Sequence, residues 1–443
     1  MQQIVIIGNG IAGITAARHI RKLSNNEIMV ISGETNYFFS RTALMYIYMG
    51  HMEFRHTKPY EDWFWKKNKI ALKKDWVSII DFDSKKIYLD KGSDISYDTL
   101  ILATGSLSNK FGWPGQDLEG VQGLYSYQDL ELMEKNTKNV KKAVILGGGL
   151  IGVEMAEMLH SRNISVTYLI REKHFWGNIL PVEEATIVDR HLIKHGIDLR
   201  QETELAEVFD DGGGRVRGIK TKCGDEIECQ FVGLTVGVHP NIDLVKNSRV
   251  ETDRGILVDE NLETSVSGVY AIGDCAQLRI PPPGRRPIEA VWYVGRMMGE
   301  TVAKTVTGTT TKYRPGIWFN SAKFFDIEHH NYGTVTPTCP DDCHEFYWQC
   351  ADNEKCIKII YKIDSLEVKG VNLFGLRNRH DVWDRWLREK RSLDYVMQHL
   401  PEANFDPEFY THWEGDIQTK FNQQFPNKKI SVRKKGFFEK LFA

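Results

Sequence analysis

Two short stretches, far apart in the chain, share one grammar that few folds accommodate. The first is an apolar run, Ile4 to Ile7, followed by Gly8-Asn9-Gly10-Ile11-Ala12-Gly13 and a helical stretch from Ile14 to Leu23. The second is Ala143 to Leu146, then Gly147-Gly148-Gly149-Leu150-Ile151-Gly152 and a helical stretch from Val153 to His160. Each is followed by a second apolar run, Ile28 to Ile31 and Val166 to Ile170, at the spacing of the next strand in a parallel βαβ unit. The glycines have separate tasks. Gly8 and Gly147 allow the tight turn, Gly10 and Gly149 let backbone approach a pyrophosphate, and Gly13 and Gly152 let helix and strand pack closely. The helix N-terminus then offers unpaired N–H groups and a partial positive charge to phosphate. A single such turn also closes ordinary α/β units. Two of them in strand-before, helix-after context predict an α/β protein that binds two dinucleotides.

Length and charge narrow the class. The chain has 443 residues, room for two or three packed units. Its 57 Lys and Arg stand against 59 Asp and Glu, so no global field draws nucleic acid, and none is expected as a partner. No apolar run approaches the roughly 20 residues of a membrane span. Met1-Gln2-Gln3 leads into the first strand without a basic n-region, so the cytoplasm is the expected compartment. Seven cysteines, odd in number, do not make a secreted disulfide framework.

Two further segments make the reading specific. Tyr97-Asp98-Thr99-Leu100-Ile101-Leu102-Ala103-Thr104-Gly105 and Thr264 to Asp274, ending Ala271-Ile272-Gly273-Asp274, complete a set of four ordered motifs. That set resembles the FAD-dependent pyridine nucleotide disulfide oxidoreductases and their disulfide-free relatives over residues 1–311. The resemblance implies two Rossmann-like domains and a C-terminal α+β domain: FAD domain, 1–117 and 247–311; inserted NAD(P) domain, 118–246; α+β domain, 312–411; basic tail, 412–443. It implies FAD and NAD(P)H as cofactors. It also implies that Gly273 and Asp274 meet the flavin's ribityl or pyrophosphate region, that Thr104 and Gly105 lie along the FAD site, and that Glu34 in Ser32-Gly33-Glu34 takes the adenosine ribose.

The thiol-active branches of that family carry a redox cysteine after the second strand. Here Asn36-Tyr37-Phe38-Phe39-Ser40-Arg41-Thr42-Ala43-Leu44 contains none, so a disulfide relay lacks its chemistry. The segment is more similar to the basic motif of the ferredoxin, rubredoxin and nitrite reductase flavoproteins, with Arg41 in the basic position at the isoalloxazine and Thr42 in place of the usual proline. Arg286-Pro287-Ile288-Glu289-Ala290-Val291, before the helix Trp292 to Val302, is similar to a stretch of that branch whose helix points its N-terminus at the flavin, which places Glu289 in the site. The expected activity is an NAD(P)H:acceptor oxidoreductase: hydride from nicotinamide to flavin N5, then electrons to a small iron–sulfur protein such as ferredoxin or rubredoxin. Hydride transfer needs stacking and orientation, and no protein acid or base is assigned a catalytic role. Two readings compete: an NAD(P)H oxidase or quinone reductase, and a flavin-bearing redox-responsive scaffold or electron-entry subunit of a larger complex.

Coenzyme choice is finely balanced. Ile170 occupies the usual acidic position at the second strand's end, and Arg171 follows as in NADPH-using relatives, while Glu172 and Gly152 favour NADH. Glu154, just inside the second helix, matches a family position near the nicotinamide. Cys339, Cys343, Cys350 and Cys356 fit no short metal-ligand spacing, and reduced cysteines in a small sheet, with Cys350 facing Cys356 across a hairpin, are the expectation; no metal is assigned. From Lys420 on there are seven Lys or Arg and one acid, Glu439, and the chain finishes Phe437-Phe438-Glu439-Lys440-Leu441-Phe442. A basic amphipathic segment of this kind docks on a membrane surface or partner, although such tails more often pack on their own body.

Overall fold

The computed structural model describes residues 1–405 and 411–432. Its contacts divide the chain into two compact units: Met1–Leu169 with Thr203–Pro315, and Ile170–Glu202 with the chain from Gly316 on.

The first unit is built on parallel strands. Val269–Ala271, Thr99–Leu102, Gln3–Ile7, Glu27–Ser32 and Ile70–Lys74 lie side by side in that order, all parallel. The chain therefore leaves this sheet and comes back to its edge more than 150 residues later, in the strand that leads to Gly273 and Asp274. Ser165–Leu169, Lys142–Leu146, Phe231–Leu234 and Val121–Gln122 are likewise adjacent and parallel. Ile4, Val5, Ile6, Val144 and Ile145 have no solvent exposure, which is why these segments read as continuous apolar runs rather than alternating ones.

Both helices begin earlier than their apolar periodicity suggests, at Ile11 and Leu150, because the third glycine of each turn lies inside the first helical turn. The Trp292–Val306 helix packs along Ile11–Leu23 through glycine: a Cβ on Gly299 would stand 2.6 Å from the carbonyl oxygen of Ala12. Only glycine permits that approach. The return segment is thus clamped onto the helix that starts at the first glycine turn.

The second unit centres on an antiparallel sheet ordered Phe319–Phe324, Ile327–Gly333, Val368–Phe374, Cys356–Lys362, Cys343–Gln349. Val382, Trp383, Trp386 and Leu387 make one apolar stripe on the His380–Arg388 helix and bury against Val371, Leu373 and Phe346 of the sheet. The fold is α/β with parallel dinucleotide-type sheets and a C-terminal α+β unit, as the motif order predicts. Among the described residues no helix is long and apolar enough to cross a membrane. The Phe437–Phe442 segment lies outside the described residues.

Candidate functional site

At the first glycine turn the backbone dictates the residues. Gly8 has φ +114°, and a Cβ there would stand 2.1 Å from the carbonyl oxygen of Ala103, so neither the conformation nor the space admits a side chain. A Cβ on Gly13 would stand 2.1 Å from the Gly8 carbonyl oxygen. Gly10 differs: nothing lies within 4 Å of its Cβ position, and it precedes the Ile11–Leu23 helix without any side-chain cap. The first-turn N–H groups of the helix therefore open onto free space. Asn9 ties the turn to the end of the second strand, donating from Nδ2 to the Thr35 carbonyl (3.0 Å) and accepting from the Ser32 hydroxyl (2.9 Å).

Glu34 and Arg41, expected at opposite ends of the flavin nucleotide, are bonded to one another. The guanidinium donates to both Glu34 oxygens, at 2.8 and 2.6 Å, and to the Tyr125 carbonyl at 2.6 Å. Glu34 also accepts the backbone N–H of Tyr127 at 2.9 Å. Arg41 lies over the Tyr125 ring, 4.6 Å from its centre. The Tyr125 hydroxyl in turn donates to Asp274 at 3.1 Å and accepts the Ser106 N–H at 3.0 Å. Asp274 accepts a longer bond from the Ser106 hydroxyl, 3.4 Å. Desolvation pushes the Asp274 carboxyl up from its ordinary range, against the Tyr125 hydroxyl and Arg41, which favour its charged form. Gly105 completes the cluster, its Cβ position 2.8 Å from the Tyr125 hydroxyl oxygen, and Thr104 anchors the loop by donating to the Asn241 carbonyl at 2.6 Å. Gly273 lies against the first helix, its Cβ position 2.9 Å from the Ala12 methyl.

One connected cluster therefore holds Gly8, Gly10, Gly13, Glu34, Arg41, Thr104, Gly105, Gly273 and Asp274. Tyr125 and Ser106 are its unforeseen members. Ser106 follows the Thr104-Gly105 motif directly and could have been found there, whereas Tyr125 carries no local signal. Glu289 is held elsewhere in the unit: Arg285 bonds both of its oxygens, at 2.7 and 2.6 Å, with both side chains 7% exposed.

The second turn repeats the first with a different lining. Gly147 has φ +103°, and a Cβ on Gly152 would stand 2.1 Å from the Tyr168 hydroxyl and 2.7 Å from the Gly147 carbonyl oxygen. The Tyr168 hydroxyl donates to the Gly147 carbonyl at 2.9 Å, and Thr235 donates to the Leu146 carbonyl at 2.7 Å, so the turn is bolted to its own strands. Gly149 precedes the helix, again without a side-chain cap, and Glu154 lies half-buried one turn further on. Arg171 is exposed and paired with its neighbour Glu172 at 2.9 Å. It belongs to the other contact unit.

All seven cysteines are free thiols. Cys275, beside Asp274, is buried, with its S–H directed at the Ile272 carbonyl (3.3 Å), and burial pushes its thiol up, away from reactivity. Cys356 pairs in the sheet register with Gln349 rather than Cys350.

These residues fit dinucleotides. Open space over Gly10, uncapped helix starts at Ile11 and Leu150, and no acidic residue in the first turn of either helix suit two pyrophosphates. The model of the pyridine nucleotide-disulphide oxidoreductases matches residues 2–299, and the chain belongs to that family. That family pairs FAD with a pyridine nucleotide, and the two glycine turns are where this chain would hold two dinucleotides. Nitrite reductase [NAD(P)H] of Bacillus subtilis (strain 168) is 30% identical over 282 residues, which cover 63% of this chain and 35% of that enzyme. The chain thus spans about a third of that relative's length. Rubredoxin-NAD(+) reductase of Acinetobacter baylyi is 29% identical over 321 residues, covering 70% of this chain and 80% of that one. Among solved structures, the NAD-dependent persulfide reductase from A. fulgidus superposes with a TM-score of 0.84 at 24% identity, over 96% of this chain and 83% of that one, a likeness of fold.

Proposed function

We propose that this oxidoreductase passes electrons from NAD(P)H to a small iron–sulfur carrier of the ferredoxin or rubredoxin kind. The observation that carries the reading is the character of the Glu34–Arg41–Tyr125–Asp274 cluster: carboxylates, a guanidinium and a phenol, with no thiol among them and the adjacent Cys275 buried. Thiol exchange with substrate has no nucleophile there. Bound FAD accepts hydride from nicotinamide and releases electrons singly, which suits an iron–sulfur acceptor. The reading also draws on the relative named as a rubredoxin reductase, which this chain matches over most of its length.

In this reading Gly8, Gly10 and Gly13 hold the FAD pyrophosphate on the helix N-terminus. Asp274, kept in place by Tyr125 and Ser106, accepts from the cofactor's hydroxyls, and Thr104, Gly105 and Gly273 shape the loops beside it. Glu34 orients Arg41, and Glu289 with Arg285 fixes the approach to the Trp292–Val306 helix. Gly147, Gly149 and Gly152 hold the nicotinamide dinucleotide, with Glu154 and Arg171 as its side-chain contacts. FAD and NAD(P) domains at 1–117 with 247–311, and at 118–246, belong to the same reading, as does a cytoplasmic setting.

The test is anaerobic reduction by NADH and by NADPH, then steady-state turnover with ferredoxin, rubredoxin, quinone and oxygen over rising ionic strength. The expected result is fastest turnover with a protein acceptor, slowed by salt, because electron carriers dock weakly and are steered by charge. Faster reduction of quinone or oxygen, indifferent to salt, replaces the proposal with an oxidase or quinone reductase. Slow turnover with every acceptor favours an electron-entry subunit or scaffold instead.

A further inference from the structure

The second unit holds a cluster that nothing in flavin or nicotinamide chemistry uses. His191 closes the last turn of the Val182–Lys194 helix and His195 follows as its C-cap, so the two imidazoles stand one turn apart on one helix face. Their ring centres are 4.4 Å apart. Facing them is Asp326, in the two-residue turn Phe325-Asp326 that joins Phe319–Phe324 to Ile327–Gly333. One ligand atom from each of the three residues lies within 4.8 Å of the others, and among the described residues no other set of histidine, cysteine or acidic side chains gathers in this way. None of the four C-terminal cysteines takes part.

The geometry points to a binding site for a divalent transition-metal ion, zinc by its donor set, made by His191, His195 and Asp326. Three features support it. The His195 ring is oriented from behind: its Nδ1 lies 3.0 Å from the His191 carbonyl oxygen, which can only accept, so Nδ1 is the donor there and Nε2 is the ligand atom turned toward Asp326. That Nε2 stands 3.5 Å from Asp326 Oδ1, close to the edge of a tetrahedron with ligand bonds of about 2.0–2.1 Å. The His195 ring is also held by packing on Phe325, the residue next to Asp326, with ring centres 4.6 Å apart.

Charge agrees with the geometry. The site lies at a helix C-terminus, where the negative end of the dipole favours a cation. Lys194, the residue before His195, is paired with Glu354 at 2.5 Å. His191 Nε2 is in direct hydrogen-bond contact with Asp326 Oδ1, and a metal ion takes the place of the proton in that contact, releasing it to solvent. Asp326, with its side chain 73% exposed at a hairpin tip, is free to move the short distance needed, while His191, 4% exposed, stays fixed. Two nitrogens and one carboxylate oxygen leave a fourth position to water, a donor set that suits zinc and excludes magnesium and calcium, which take oxygen ligands.

The experiment uses the full chain with its flavin, stripped with chelator and titrated with zinc chloride in competition with a chromogenic chelator, and in parallel with cobalt(II) read by its visible absorption. One equivalent of zinc, and a cobalt spectrum of four-coordinate intensity, are expected. His195→Ala, at a half-buried position, and Asp326→Asn, at an exposed one, should leave the flavin content intact and each weaken zinc at least about tenfold. Absence of stoichiometric zinc in the parent chain overturns the site. So does zinc that persists undiminished in both the His195→Ala and Asp326→Asn variants, or that is lost only when the cysteines are alkylated.

Discussion

The two units handle polar groups in opposite ways. In the first, the polar side chains that matter stand at strand ends around open glycine turns, and they pair with each other: Arg41 with Glu34, Tyr125 with Asp274. In the second, they are inside. Lys358, 1% exposed, reaches Glu183 at 2.9 Å and Glu345 at 3.0 Å. Glu184 has no exposure at all; Asn372 donates to one of its oxygens at 2.6 Å, and the other has no hydrogen-bond partner among the described residues. A glycine turn fixes backbone and leaves the chemistry to a ligand. A buried polar network fixes side chains and makes stability answer to pH.

The largest effect belongs to the turns. A valine at Gly13 would drive its Cβ into the Gly8 carbonyl, a backbone atom that cannot retreat, and we expect Gly13→Val to purify without flavin and to melt at lower temperature. A Cβ at Gly152 meets the buried Tyr168 hydroxyl at 2.1 Å, the Thr235 hydroxyl at 2.6 Å and the Gly147 carbonyl at 2.7 Å, two of them side chains that bolt this turn to its strands, so Gly152→Val disturbs the second turn alone. It should keep its flavin spectrum while anaerobic reduction by NAD(P)H slows by about 100-fold, equivalent to ~3 kcal/mol. Flavin loss from Gly152→Val with retention in Gly13→Val would exchange the roles of the two turns.

The second unit is tested by pH. Desolvation pushes the Glu184 carboxyl up to about 8 from an ordinary 4.5, so between those values the folded chain holds a proton that the unfolded chain has released. Its contribution to stability is then full below the ordinary value and is lost as pH rises through about 8, a decline of a few kcal/mol. Lys358, raised from an already high value, does not titrate in that window. Urea denaturation followed by fluorescence of the buried Trp383 and Trp386 at pH 5 and pH 8.5 measures the decline. Glu184→Gln should flatten it, and an unchanged slope in that variant would mean that the carboxyl is ionised beside Lys358 throughout.

A smaller effect separates the site's two pairs. Tyr125→Phe removes the hydroxyl that supports Asp274 but leaves the ring under Arg41, so flavin affinity should fall by about 1–2 kcal/mol with the fold intact. Flavin titration of apoprotein checks it. A loss confined to melting temperature would make the hydroxyl a structural group only.

The same contrast explains what could be read from sequence. Strand, turn and helix around Gly8 and Gly147 were legible because the constraints are local: a positive φ, a close carbonyl and an apolar run within twenty residues. The pairing of Glu34 with Arg41 was not, although the two are only seven residues apart, since it depends on how Asn36 to Ser40 bend the chain back. Tyr125 reaches Asp274 across 149 positions, and Asp326 reaches His191 across 135; no periodicity encodes such distances. Glu184 reads as a solvated first-turn helix acid, and only tertiary packing buries it.

The smallest predicted effect concerns Arg171, the second residue of the second unit, just past the strand that follows the second glycine turn. At the first strand end the acid is shielded and gripped: Glu34 is bonded by Arg41 and by a backbone N–H. Arg171 stands at the corresponding place after Ser165–Leu169 with its side chain 73% exposed and already paired with Glu172. A guanidinium on a 2′-phosphate can be worth about 1.5–3 kcal/mol when enclosed, but water and a competing carboxylate reduce an exposed contact to roughly 1 kcal/mol. Arg171→Ala should therefore raise KM for NADPH about fivefold, leave kcat and the NADH kinetics unchanged, and lose its effect at high salt. Glu172→Gln, which removes the competing carboxylate charge, should move KM for NADPH the other way. Equal changes for both coenzymes in the two variants would assign Arg171 to the surface and leave coenzyme choice to the glycine turn and Glu154.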